Sequence, residues 1–198
     1  MLSRKQRLKI GIDFDSTIAC IDRPWLDRLN AARGTLYRPE DWSDWDLSFL
    51  QPDERRLFFD LFTPDLYDVV TPYPGAPDAI RTLQAIPEIE LVCVTSNPEK
   101  EAQAFLQAKK KWLQKYIPEL SESIISAKTK TNLGLHILID DAPHHHKDAD
   151  CLCVLVRRPW NRHVTCRFEF ADWVDAHDVV KKIVHESYAT GYERTTLS

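Results

Sequence analysis

No stretch of the 198-residue sequence is apolar for long enough to span a bilayer, a task that takes about 20 residues, so no membrane association is expected. Ser3-Arg4-Lys5-Gln6-Arg7 runs directly into a short apolar segment, without the longer apolar stretch and small-residue cleavage site of a signal peptide. Basic charge is not in excess: 26 Lys and Arg stand against 30 Asp and Glu, a formal net charge of −4 with both signs scattered. Without a broad basic face to track a phosphate backbone, nucleic-acid partners are set aside, and any phosphate held is small and locally gripped. Cysteines number five, and Cys20, Cys93, Cys151, Cys153 and Cys166 are spread among apparent core strands rather than spaced as a disulfide framework. A reducing cytoplasm fits that usage. Cys151-Leu-Cys153 does not read as a metal pair, because alternation puts both thiols on one face of an apolar run and no second ligand pair stands at zinc spacing. No internal repeat is evident.

What is present is an ordinary globular composition, 43% hydrophobic and 28% charged, in a chain long enough for one compact core plus an insertion. Strand-like runs at Leu8–Phe14, Leu91–Thr95, Ser123–Ser126, Leu135–Asp140 and Cys151–Val156 alternate with helical or irregular segments, which predicts a parallel α/β sheet. Three of these runs are continuously apolar and end abruptly in carboxylates or hydroxyls. Polar groups therefore gather at the C-terminal edge of the sheet, where open α/β folds bind ligands. Apolar residues at helical spacing predict a helix between Pro98 and Ile117, with Lys109, Lys110 and Lys111 read as a solvated face. A helix is expected after Tyr73-Pro-Gly-Ala-Pro, and another from Asp172 to about Tyr188, with a disordered tail over Gly191–Ser198. Residues 18–72 lack strand-like runs and concentrate aromatics and acids, and read as a small helical cap inserted after the first strand.

Chemistry concentrates at four places. Asp13-Phe-Asp15-Ser-Thr17 follows a run that should be buried, where uncompensated carboxylates are costly and call for a cation or a catalytic task. Thr95-Ser96-Asn97-Pro98 ends a buried strand in hydroxyls and opens a helix, which suits an anion and equally suits a plain N-cap. Lys130 follows the strand Ile124-Ile125. Asp140-Asp141 closes another apolar strand and would be self-repelling without a cation, for which hard oxygen donors favour Mg2+. His144-His145-His146 cannot all face one ion from a regular helix and read as a short helix with one or two imidazoles toward the site.

In this order the four signals resemble the motifs of the haloacid dehalogenase (HAD) superfamily of phosphatases, and the likeness covers nearly the whole catalytic core. Asp13-Phe-Asp15, Pro72-Tyr-Pro-Gly-Ala76, Thr95-Ser96-Asn97-Pro98, Thr129-Lys130-Thr131 and Ile139-Asp140-Asp141 are more closely similar to the 5′(3′)-deoxyribonucleotidase family. Ala171-Asp172-Trp173 resembles the start of that family's last helix, and Arg158-Pro159-Trp160-Asn161 looks like its bacterial and phage members. The sequence departs from the family at Ser16 (usually Gly), Thr17 (aliphatic), Ile21 (aromatic), Asn97 (Pro) and Ala142 (Arg).

The resemblance implies a HAD-like Rossmannoid three-layer core with a central parallel sheet, formed by residues 1–17 and 73–198, and the helical cap over 18–72. It implies Asp13 as nucleophile, Asp15 as general acid and base, Lys130 as the neutralising cation, and Thr95, Ser96 and Lys128 at the phosphate. Magnesium falls to Asp13, Asp15, Asp141 and Asp140, and the small phosphorylated substrate would be a nucleoside monophosphate met by Trp42 or Trp45. Competing readings are a HAD phosphatase of another small metabolite, such as a sugar phosphate, and a catalytically silent binding module. All four motif positions are filled, which argues against the second. Monomer and homodimer fit equally.

Overall fold

The computed structural model describes residues 7–189, so the expected tail at 191–198 lies outside the described residues. Strand β1 (Leu8–Asp13) is followed by helices α1 (Asp22–Arg33), α2 (Pro52–Asp60) and α3 (Ala76–Gln84). Strand β2 (Ile89–Thr95), helix α4 (Ala102–Tyr116), strand β3 (Ile124–Ser126) and strand β4 (Ile137–Asp140) come next. Helix α5 (Pro143–Asp148), strands β5 (Leu152–Val156) and β6 (Phe168–Phe170), and helix α6 (Ala176–Ala189) complete the order.

Among the described residues all six strands pair in parallel, in the order β3-β2-β1-β4-β5-β6. The chain builds outward from β1 on one side, then returns to build outward from β4 on the other. The strand order thus reverses between β1 and β4, which opens a crevice at their carboxyl ends. The sixth strand, β6, was not foreseen: Phe168-Glu-Phe170 is short, and its register against Val154–Val156 makes it an edge.

The runs are continuously apolar because both faces of the sheet are covered. Leu91 and Cys93 point into the main core with Ile10, Ile12 and Phe105, while Val92 and Val94 pack on the opposite face with Leu135 and Leu138. Gly11 belongs to that crowded face, where a Cβ would stand 2.6 Å from Leu135 Cδ1. Among the described residues, segment 18–72 contains α1, α2 and two short 3-10 turns, and no strand. Its rings pack against one another and join the main core. Trp25 stacks on Phe58 at 3.9 Å and on Phe62 at 4.5 Å, with Trp42 edge-on at 6.1 Å. The segment is tied to the sheet by the Trp112 indole, which donates to Val70 O at 2.9 Å, and by ring contact of Tyr67 and Phe62 with Phe105.

Candidate active site

Register alone brings the acids together. Ile12 of β1 pairs with Ile139 of β4, so Asp13 and Asp140-Asp141 leave the sheet side by side at the crevice. The carboxylates of Asp13, Asp140 and Asp141 are buried, with one oxygen of each lying within 4.8 Å of the others. Lys130 enters from the loop after β3. Its ammonium donates a very short hydrogen bond to Asp13 and another, 2.7 Å long, to Asp140 Oδ2.

Three carboxylates face one ammonium, and the imbalance shows in their acidity. Burial pushes Asp13 up to about 6, against the pull of Lys130 and with help from the charges of Asp140 and Asp15. Burial and the charges of Asp13 and Asp140 raise Asp141 well above the carboxylate range. Asp140 moves the other way. Burial alone would raise it, but the Lys130 charge and a 2.8 Å contact with His145 Nδ1 hold it well below the usual value. With all three ionised, the cluster would hold more negative charge than its lysine neutralises. A hard divalent cation fits such a donor set of closely spaced, buried oxygens.

Asp141 is also held from behind. Thr17 Oγ1 donates to its Oδ1 at 3.1 Å, Trp160 Nε1 to its Oδ2 at 2.8 Å, and Asn161 Nδ2 to its backbone oxygen at 2.8 Å. The histidines sit on α5. His145 and His146 (Nε2, 3.1 Å) both engage Asp140, the latter at its carbonyl, and His144 meets Trp45 edge-on at 4.9 Å.

Asp15 is gripped at both oxygens. Tyr67 Oη donates to Oδ1 at 2.6 Å and Lys109 Nζ to Oδ2 at 2.6 Å. Lys109 also reaches Thr95 Oγ1 at 2.7 Å and the Ser96 carbonyl at 3.1 Å. The expectation of a solvated lysine face fails at Lys109, whose side chain is 0% exposed, while Lys111 does lie at the surface against Asp68. Its helical phase carried the signal: Lys109 falls four residues after Phe105 and three before Trp112, on the buried stripe of α4.

The turn after Asp15 needs support, because Ser16 adopts a left-handed φ of 57°, which disfavours residues other than glycine. Arg158 supplies it, donating from Nε to Ser16 O at 2.6 Å and from Nη2 to Thr17 O at 3.2 Å, and Trp173 Nε1 adds a bond to Thr17 O at 2.9 Å.

Beside the acids opens a cavity of about 400 Å3. Segment 18–72 lines it with Trp25, Trp42, Trp45 and Phe62, and the sheet side with Asp15, Ser96, Asn97 and Asp141. Trp42 is 7% exposed and packs on Trp160 at 4.6 Å, whereas Trp45 is 45% exposed. Ser96 is at the surface of the cavity, and Thr95 is buried beneath it. Lys128 is not brought in: it is 85% exposed and pairs with Glu99 at 2.8 Å.

The chain is similar to several known proteins. Residues 7–186 match the family described as 5′ nucleotidase, deoxy (pyrimidine), cytosolic type C protein. The chain belongs to this family. It is accordingly a phosphatase of the hydrolase class. A 5′(3′)-deoxyribonucleotidase of Clostridium acetobutylicum is 29% identical over 137 residues, 68% of this chain and 73% of the relative. Among solved structures, a haloacid dehalogenase-like protein of unknown function from Agrobacterium tumefaciens superposes with a TM-score of 0.61 at 12% identity, covering 90% of this chain and 99% of that one. A haloacid dehalogenase-like hydrolase from Streptococcus pneumoniae does so with 0.60 at 9% identity, covering 88% and 98%. Both share the fold, as the family's HAD-type core requires. Among the described residues no helix is long and apolar enough to cross a membrane.

Proposed function

We propose that the chain hydrolyses (deoxy)nucleoside monophosphates through an aspartyl-phosphate on Asp13. The observation that carries this reading is the grouping of Asp13 with Lys130 and the Asp140-Asp141 pair, with Asp15, two residues on, and Asp141 lining an aromatic cavity.

Asp13 attacks phosphorus, the bond from phosphorus to the ester oxygen breaks, and Asp15 gives that oxygen a proton. Water then attacks the aspartyl-phosphate, Asp15 takes the water's proton, and Asp13 is regenerated as phosphate leaves. Lys130 offsets negative charge on Asp13 and on the phosphoryl oxygens, and Ser96, at the cavity surface, donates to the phosphate, while Thr95, buried beneath it and bonded to Lys109, supports that edge of the site instead of facing the phosphate. Magnesium, general among HAD phosphatases, would be held by Asp13, Asp141 and the Asp15 carbonyl with Asp140 beside them. When bound it supplies positive charge to the phosphoryl oxygens. Lys128, paired with Glu99 on the surface, is left without a part in this scheme.

Residues 18–72 act as the cap that roofs the cavity. Trp45, half exposed at its wall, offers a ring face to the base, and Trp42 backs the pocket against Trp160. The test is a panel of deoxynucleoside and ribonucleoside monophosphates and sugar phosphates with magnesium, run beside Asp13→Asn. Turnover of deoxynucleotides by the wild type and none by the variant is expected. Inert nucleotides alongside a consumed sugar phosphate would end the substrate claim, and an active Asp13→Asn would end the nucleophile claim.

A further inference from the structure

Two lysines grip three of the four acids of the site. Lys130 serves Asp13 and Asp140, and nothing in the scheme above uses Lys109. Yet Lys109 carries a fully buried charge, an arrangement that an apolar side chain would avoid at lower cost among Phe105, Trp112 and Leu113. Its three ammonium hydrogens meet three acceptors: Asp15 Oδ2 at 2.6 Å, Thr95 Oγ1 at 2.7 Å and Ser96 O at 3.1 Å. The rings of Phe14 and Tyr67 flank it at 5.4 Å and 5.6 Å. Tyr67, from segment 18–72, closes on the other oxygen of the same carboxylate at 2.6 Å. A donor on each oxygen, one from α4 and one from the inserted segment, determines the plane of the Asp15 carboxyl.

We propose that Lys109 and Tyr67 are positioning residues for Asp15, holding its carboxyl where a proton passes to the leaving oxygen and later from the attacking water. The inference rests on the roles of Asp13 and Asp15 given above. It has a signature that a merely structural lysine lacks. In the first half-reaction the bond from Asp13 to phosphorus forms, the ester bond breaks, and an alkoxide leaving group needs the Asp15 proton. A nitrophenolate departs without one. In the second half-reaction the bond from water oxygen to phosphorus forms, the Asp13 bond breaks, and a water proton goes to Asp15 whatever the substrate was. Loss of positioning therefore slows both halves for a nucleoside monophosphate but only the second for nitrophenyl phosphate.

The experiment is stopped-flow and acid-quench kinetics of Lys109→Met in the full chain with magnesium, with Tyr67→Phe as a milder companion that keeps the fold. For the nucleoside monophosphate, kcat is expected to fall by about 100-fold with KM nearly unchanged. With nitrophenyl phosphate, Lys109→Met should release a burst of one nitrophenolate per site and leave acid-stable radiolabel on the protein. Tyr67→Phe should show the same pattern with a loss of roughly 10-fold. Equal losses on both substrates without a burst, or unchanged kcat in both variants, overturns the proposal. If Asp13→Asn is meanwhile inactive, only this inference falls; an active Asp13→Asn removes the reading beneath it as well.

Discussion

Replacing Asp13 with asparagine should move activity and stability in opposite directions. Burial pushes the Asp13 carboxyl from 3.8 to about 6, so its ionised form is disfavoured in the native state by roughly two pKa units. At about 1.4 kcal/mol per unit, that is about 3 kcal/mol of native-state cost above pH 6 in metal-free protein. A carboxyl whose folded pKa exceeds its unfolded one binds protons more readily when folded. Its contribution to stability is thus complete below pH 3.8 and is lost as pH rises through 6. Asparagine does not titrate and escapes this loss; the pull of Lys130 is already contained in the raised value, but the amide nitrogen left without an acceptor among these groups costs about 1–2 kcal/mol. The net expectation is a variant about 1–2 kcal/mol more stable than wild type at pH 7.5 in chelator, with a Tm higher by about 2–8 °C. The advantage should shrink steadily toward pH 4, where wild-type Asp13 is itself protonated. Added magnesium should reverse the order, since a ligand that binds the native wild type stabilises it. Thermal unfolding across pH 4 to 8, with and without magnesium, reads all of this. A variant less stable than wild type at pH 7.5 in chelator, or a pH-independent gap, would refute the reasoning.

Other substitutions probe separate parts of the site. Trp160→Phe removes the donor to Asp141 Oδ2 and should weaken magnesium binding about 10-fold by calorimetry on the metal-free protein, while the unfolding transition stays cooperative. Trp45→Ala should raise KM for nucleoside monophosphates about 10-fold and leave nitrophenyl phosphate untouched, because only the former has a base to stack. Phe58→Ala empties the ring stacked on Trp25 and should cost about 3–5 kcal/mol in urea unfolding.

The legible parts of the molecule were those written in consecutive residues. Runs such as Ile10-Gly-Ile-Asp declare a buried strand and its polar end together, so the sheet and the positions of Asp13, Asp15 and Asp140-Asp141 followed from pattern. Strand β6 escaped because three residues with an exposed Glu169 between two phenylalanines carry too little periodicity. Lys109 was hidden by its lysine neighbours, since composition averages over a helix face that burial resolves residue by residue. Lys128 shows the reverse: it stands two positions before Lys130, yet one is at the surface with Glu99 and the other is enclosed by acids. Arg158 and Trp160 stood out as a motif, but the bond from Arg158 to Ser16 spans 142 residues and no local pattern encodes it.

That long reach bears on how the enzyme is made. A ribosome that has released the chain only as far as Asp141 has delivered each acid and both enclosed lysines, but neither the guanidinium of Arg158 nor the indole of Trp173 that brace the Ser16 turn. The turn after Asp15 lacks these bonds until residues 142 and 156 positions further along the chain arrive. Catalytic competence thereby waits on residues well beyond the acids, and a product truncated between Asp141 and Arg158 would carry the full set of reactive groups without the brace that aligns them.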